Sequence, residues 1–269
     1  MHTNTILVIV GNRFDAFAND NNCSTLDGFL RQERAALAPL TRLILGQGLD
    51  TAALGRIRAR LRELELDQAI EVEEVVSQKA QAAAVHKRCQ TNVMITRATE
   101  TGLRSFGAHL VIDEACAELS DHVTGLHIQG TLFIEAARQA FMLCAPTAIR
   151  AAGFDEHAGF DLDNSGYTLR EIQVSYKKFL YPLPVQITIS LSEIRNLKRL
   201  GLLATEACVR FEQLGEVGVE VRFNATRSDK SALLRLETVG AQDLTARWLS
   251  SLPQLPAVAR AGAEQYRAA

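Results

Sequence analysis

The chain has 269 residues, 47% of them apolar and 22% charged, with 29 Lys and Arg against 31 Asp and Glu for a formal net charge of −2. That is enough apolar chain to bury a sizeable core, which excludes a disordered polymer, and the 17 glycines and 6 prolines exclude a collagen-like one. The near-zero charge offers no global field for nucleic acid. At roughly 150 residues per domain the length allows one large domain or two small ones.

No run approaches the ~18 consecutive apolar residues of a membrane span. The first apolar run, Thr5 to Gly11, lacks a basic leader and passes into Asn12, Arg13 and Asp15, so it reads as a buried strand and not as a signal peptide. The five cysteines (Cys23, Cys89, Cys116, Cys144 and Cys208) are odd in number, widely spaced and without a C-x-x-C pair. They read as buried thiols of a cytoplasmic protein, not as a disulfide frame or a zinc site.

In chain order, a turn cluster at Asn19–Asn22 leads to Ser24 or Thr25, which caps a helix carrying Leu26, Phe29, Leu30 and Leu37 and ending near Pro39. A short helix with Leu40, Leu43 and Ile44 follows, stopped by Gly46 and Gly48. Asp50 caps a third helix, with Leu54, Ile57, Leu61 and Leu64 on one face and an arginine series on the other. Residues 1–80 therefore read as an α-rich accessory segment with one strand. Val93–Thr96 and Phe106–Ile112 are strand-like. A polar loop, Ser120 to Gln129, precedes an apolar helix from Gly130 to Cys144 that Pro146 is expected to close. Strand signals return at Ile172–Tyr181, Val185–Leu191, Ala204–Phe211 and Val217–Phe223, the last two paired through Gln213-Leu-Gly215. The order indicates an α+β sheet wrapped on one buried helix, spanning residues 81–228, with a helix-prone tail at 229–269.

That helix is apolar on nearly every side, yet it carries Glu135, Arg138 and Gln139. Buried polar groups need partners, so the conflict marks a candidate site. Gly130 and Thr131 stand where the unpaired N–H groups of a helix start can meet a developing oxyanion. Burial is expected to raise the pKa of Glu135 and suit it to acid–base work, with His122 or His127 as its partner near neutrality. Arg138 or Gln139 then steadies Glu135 or anchors a polar group of the substrate. Asp121 reads as a loop cap. No metal is expected: His122, His127 and Glu135 lack the i, i+4 histidine pair of a helical zinc site. Three basic clusters (Lys79, Lys87 and Arg88; Lys177 and Lys178; Arg195, Lys198 and Arg199) read as solvated faces or as docking patches for an acidic partner.

Val85-His-Lys87, Asn92-Val-Met-Ile-Thr96, Asp121-His122, His127-Ile-Gln-Gly130 and Ile134-Glu-Ala-Ala-Arg-Gln139 together resemble the A-factor biosynthesis hotdog family, over about residues 85–225. In related hotdog dehydratases a Pro-Gly element stands where this chain has Gln129-Gly130, and the loop here is one residue shorter. The resemblance implies a hotdog fold and an enzyme of secondary metabolism. Its members transfer a β-ketoacyl group from an acyl carrier protein to the hydroxyl of dihydroxyacetone phosphate. It implies no cofactor of the protein's own, the acyl group arriving as a thioester on the phosphopantetheine of a carrier protein or on coenzyme A, with a small hydroxyl compound as acceptor. Neither nucleic acid nor membrane is an expected partner. Only one hotdog signature is present, so a homodimer is expected, with His122 of one subunit facing Glu135 of the other. A dehydratase or thioesterase acting on the same thioesters is the alternative, and a non-catalytic acyl-binding scaffold the third reading.

Overall fold

In the computed structural model the described residues are 5–21, 23–73, 78–120, 125–154, 165–197 and 202–251. Asp121, His122, Asp155, His157, Asp161, Asp163, Lys198, Arg199 and the tail beyond 251 lie outside them.

The N-terminal unit differs from the α-rich segment expected. It is a four-stranded parallel sheet in the order β2-β1-β3-β4, made of β1 (Ile6–Val10), β2 (Ser24–Thr25), β3 (Arg42–Leu45) and β4 (Glu71–Glu73). Continuous apolar runs such as Ile6–Val10 are what buried parallel strands look like. Leu43 and Ile44 belong to strand β3 and not to a helix, because three apolar residues, Leu40, Leu43 and Ile44, carry no period that separates the two. β2 and β4 are too short to show any period at all. Between the strands run α1 (Asp15–Asp20), α2 (Leu26–Leu30), α3 (Arg34–Leu37) and α4 (Thr51–Glu63). The single helix expected to run toward Pro39 is thus split into α2 and α3. The caps are as read: Thr25 accepts from the Gly28 amide and Asp50 from that of Ala53. Leu54, Ile57 and Leu61 of α4 pack with Ile9, Leu26, Phe29 and Leu43 into a core of their own.

The larger unit is a six-stranded antiparallel sheet in the order β5-β6-β8-β9-β10-β7. Its strands are β5 (Thr99–Gly102), β6 (Ser105–His109), β7 (Ser165–Tyr176), β8 (Gln186–Leu197), β9 (Leu202–Gln213) and β10 (Glu216–Asp229). Leu214 and Gly215, both at positive φ, turn β9 into β10, the backbone of a tight hairpin whose twist matches its strands. Val93–Thr96 makes only isolated bridges, Ile95 with Leu110 and Thr96 with Lys79. The short helix α5 (Ala117–Ser120) precedes α6 (Gly130–Ala151), which lies against the sheet. α6 runs straight through Pro146, contrary to expectation, for 22 residues. Ala145, Ala148 and Ile149 beside the proline are fully buried, so packing outweighs the lost hydrogen bond. By length and composition α6 would cross a bilayer, but two thirds of its most apolar stretch is buried as a core helix. A long helix wrapped by one antiparallel sheet is the hotdog arrangement. α7 (Lys230–Ser251) leaves β10 directly and has no buried residue.

The two units share one interface. Val10, Phe14, Phe17 and Ala18 belong to the same core cluster as Phe133, Ala137 and Phe211. Gln47, only 3% exposed, donates to the Leu110 carbonyl (3.1 Å) and accepts from the Ile112 amide (2.8 Å). Its own amide donates to Pro182 at 2.9 Å. A buried amide side chain satisfied in this way fixes one docking geometry, since any shift strands its polar atoms.

Candidate active site

Two groups of side chains gather around the start of α6, on different flanks. Gly130 and Glu135 are five residues apart, about 140° around a helix of 3.6 residues per turn.

Glu135 lies on the flank facing the turn at residues 82–87. Arg138 Nε reaches Oε2 at 2.8 Å and Arg138 Nη2 reaches Oε1 at 2.7 Å. Lys87 Nζ lies 2.9 Å from the same Oε1 and Gln139 Nε2 3.0 Å from it. Lys87 also holds Glu118 at 2.9 Å, and Glu118 accepts from Cys116 Sγ at 3.2 Å. Two cations and two carboxylates thus neutralise one another. The expected rise in the Glu135 pKa does not occur. Burial pushes it up, but the hydrogen bonds from Arg138, Gln139 and Lys87 outweigh burial and hold the carboxyl down at about 2. Glu118 is likewise lowered: burial opposes, and the bonds from Lys87 and Cys116 prevail. The Cys116 thiol is pushed up to about 11, chiefly by burial, and is no nucleophile.

Gln139 is fully buried and committed on both ends. It accepts from the Met94 amide (2.9 Å) and donates to the Asn92 carbonyl (2.9 Å) and to Glu135. It pins α6 to residues 92–94 and has no surface for a substrate. Arg138 also donates to the Val85 carbonyl at 3.3 Å. Lys79 forms a buried pair with Asp113 at 3.4 Å. Lys79 and Lys87 therefore belong to internal ion pairs and not to a surface patch.

The other flank holds a cavity of about 390 Å³. His127, Ile128, Gly130, Phe133, Tyr176 and Phe179 line it, with Lys177 and Lys178 at its rim. The His127 ring lies against Phe179 with centroids 4.9 Å apart. The Tyr176 hydroxyl donates to the Gly130 carbonyl at 3.0 Å, and its ring stands 3.0 Å from where a Cβ on Gly130 would lie, a tight contact. Gln129 is the N-cap of α6 but its side chain does not cap it, turning instead to the Glu118 carbonyl and the Thr131 hydroxyl. The mouth of the cavity therefore meets a helix N-terminus with no side-chain cap and with positive potential. His127 and Gly130 are brought together here, whereas neither Thr131 nor Glu135 is among the lining residues. Sequence reasoning missed Glu118, Tyr176 and Phe179 as site residues. Lys87 stood in the Val-His-Lys element, but its role had no signal without the fold.

The fold and these two flanks define a hotdog-fold protein. Residues 68–175 match the A-factor biosynthesis hotdog domain. Among solved structures the chain is similar to a thioesterase from Haemophilus influenzae, at 12% identity over 51% of this chain and 79% of that one, with a TM-score of 0.35. It is similar as well to a thioesterase variant from Pseudomonas aeruginosa, at 11% identity over 58% and 99%, with a TM-score of 0.36. No curated protein matches the chain.

Proposed function

We propose that the chain processes acyl thioesters, transferring a β-ketoacyl group from a carrier-bound thioester to a small hydroxyl acceptor. The observation that carries this reading is the apolar cavity opening on the uncapped start of α6. The acyl chain lies against Phe133, Ile128 and Leu180. The thioester carbonyl faces the first amides of α6, which stabilise the oxyanion that forms on attack, an effect worth roughly 3–4 kcal/mol where one such donor is removed from an enzyme. His127, whose ring lines the cavity, removes the proton of the acceptor hydroxyl. The alkoxide adds to the carbonyl, and the thiolate leaves with the proton that His127 then returns. Lys177 and Lys178 at the rim suit the phosphate of a phosphopantetheine arm or of a phosphorylated acceptor.

Glu135, held ionised through the neutral range, has no proton to give to a leaving hydroxyl. That weighs against dehydration, which needs a protonated acid. Glu135 is in this reading an anchor for Lys87 and Arg138. We take the working unit to be a homodimer in the cytoplasm. β7 is the outer strand of the six-stranded sheet and exposes Leu169, Ile172 and Tyr176, and an unprotected apolar edge invites a partner. Tyr176 belongs to both that edge and the cavity, so a second copy pairing there covers the cavity mouth.

Intact-protein mass spectrometry tests the reading. Acyl carrier proteins charged with β-ketoacyl or β-hydroxyacyl groups are presented with and without dihydroxyacetone phosphate. Unloading of the β-ketoacyl carrier only when the acceptor is present supports transfer. Unloading into water alone replaces it with a thioesterase, and loss of one water from the β-hydroxyacyl carrier with a dehydratase. No change in any arm favours an acyl-binding role.

A further inference from the structure

In doubly wound sheets, ligands bind outside the carboxyl ends of the strands, where successive connections leave in opposite directions. In the N-terminal unit that point lies between β1 and β3. Here the backbone amides of Asn12 and Arg13, just beyond β1, are taken by the carboxylate of Glu114, at 3.3 and 3.1 Å. Glu114 belongs to the other unit, on the loop that runs on to Glu118. The far end of that loop returns to the same place. The Phe17 amide donates to the Gly125 carbonyl at 3.3 Å. A Cβ on Gly125 would stand 2.6 Å from the Arg13 carbonyl oxygen, so only glycine permits the approach. Two residues on, His127 enters the cavity. The Phe17 ring stacks on Tyr181 at 5.8 Å, next to Leu180, whose carbonyl accepts from the Ile128 amide at 2.9 Å. The segment is itself tied down, because Asn12 Oδ1 accepts from the Asp27 amide at 3.0 Å.

We propose that residues Asn12–Phe17 are a clamp that positions both ends of the site loop, with Glu114 and Gly125 as its anchor points. The N-terminal unit then serves the site by geometry: the sheet edge at which doubly wound sheets hold a ligand holds the loop in this protein. Glu114 and Gly125 are positioning residues, acting through Glu118 on one side and His127 on the other. The kinetic consequence rests on the acyl-transfer reading above, whereas the structural one does not.

The test uses the full chain and three variants. Glu114→Ala removes both hydrogen bonds, Glu114→Gln keeps an acceptor oxygen, and Gly125→Ala forces the loop off Arg13. Amide exchange of Leu119 and Ile128 is expected to rise about tenfold in Glu114→Ala and Gly125→Ala, with the amides of β1 and β3 unchanged, the mark of local opening. The rate constant for acyl transfer falls about tenfold in the same two variants, as small misplacements do, with KM for the acyl donor little changed, and Glu114→Gln, which keeps only one of the two acceptor oxygens, falls no further than Glu114→Ala. Unchanged exchange at Leu119 and Ile128 overturns the proposal, as does exchange rising equally through β1 and β3. A transfer rate equal to the parent's in both Glu114→Ala and Gly125→Ala overturns it too. If the unaltered chain transfers no acyl group, the function reading fails while the exchange measurements still decide the clamp.

Discussion

Lys87 Nζ stands 2.9 Å from a carboxylate oxygen of Glu135, and the same ammonium lies 2.9 Å from Glu118. One cation thereby ties the central helix α6 to the short helix α5, and the carboxylate with the strongest signal in the sequence is an anchored anion and not a poised acid.

Removing that cation tests the anchor. Lys87→Met leaves two carboxylates close together with Arg138 alone between them. For a pair only partly shielded from water, the expected loss of folding stability is about 1–2 kcal/mol. It is read by urea denaturation at pH 7, and a midpoint equal to that of the parent chain contradicts it.

Acid stability follows from the same pair. The folded pKa of Glu135 is about 2, below its ordinary value, and that of Glu118 is also lowered. A carboxyl depressed by folding binds fewer protons in the folded chain than in the unfolded one. Its contribution is complete above the ordinary carboxylate pKa and is lost as pH falls toward 2. Melts between pH 6 and pH 2.5 are expected to show stability flat at the upper end and falling below about pH 4.5. In Glu135→Gln the fall is shallower. An equally steep fall in that variant assigns the acid sensitivity to other groups.

His127 and Glu135 are expected to separate in their effects. His127→Gln keeps the ring-sized contact with Phe179 only in part but removes the base, and lowers the acyl-transfer rate about 100-fold with a small change in melting temperature. Glu135→Gln has the reverse profile, costing stability before rate. Single-turnover unloading of a charged carrier protein, run beside thermal melts, checks both, and a rate loss in Glu135→Gln equal to that in His127→Gln returns Glu135 to the chemistry.

Gly46→Ala probes the contact between the units. A Cβ there would stand 2.2 Å from the Pro182 carbonyl oxygen and 2.8 Å from Val10 Cγ1. Overpacking against backbone is expected to cost about 3 kcal/mol, read as a lower urea midpoint. A variant as stable as the parent means that the two units can part without loss.

By itself the sequence determined most of the hotdog unit. The β9–β10 hairpin was legible because Leu214-Gly215 sits between two apolar runs. The buried helix was legible because Leu132, Phe133, Ile134, Phe141 and Met142 put apolar groups on nearly every side of it. The caps Thr25 and Asp50, and the juxtaposition of His127 with Gly130, were visible as well. Tertiary structure alone decided the rest. β2 and β4 span two and three residues and owe their form to β1 and β3 beside them, not to any period. Pro146 stays in a helix because Ala145, Ala148 and Ile149 around it are packed into the core. Glu135 could be read as a buried carboxylate, but the direction of its pKa depended on Lys87, 48 positions upstream in the chain, and on the rotamer of Arg138. Local pattern encodes what a segment buries; the partners that fix charge and position come from segments distant in sequence, and only folding brings them within 3 Å.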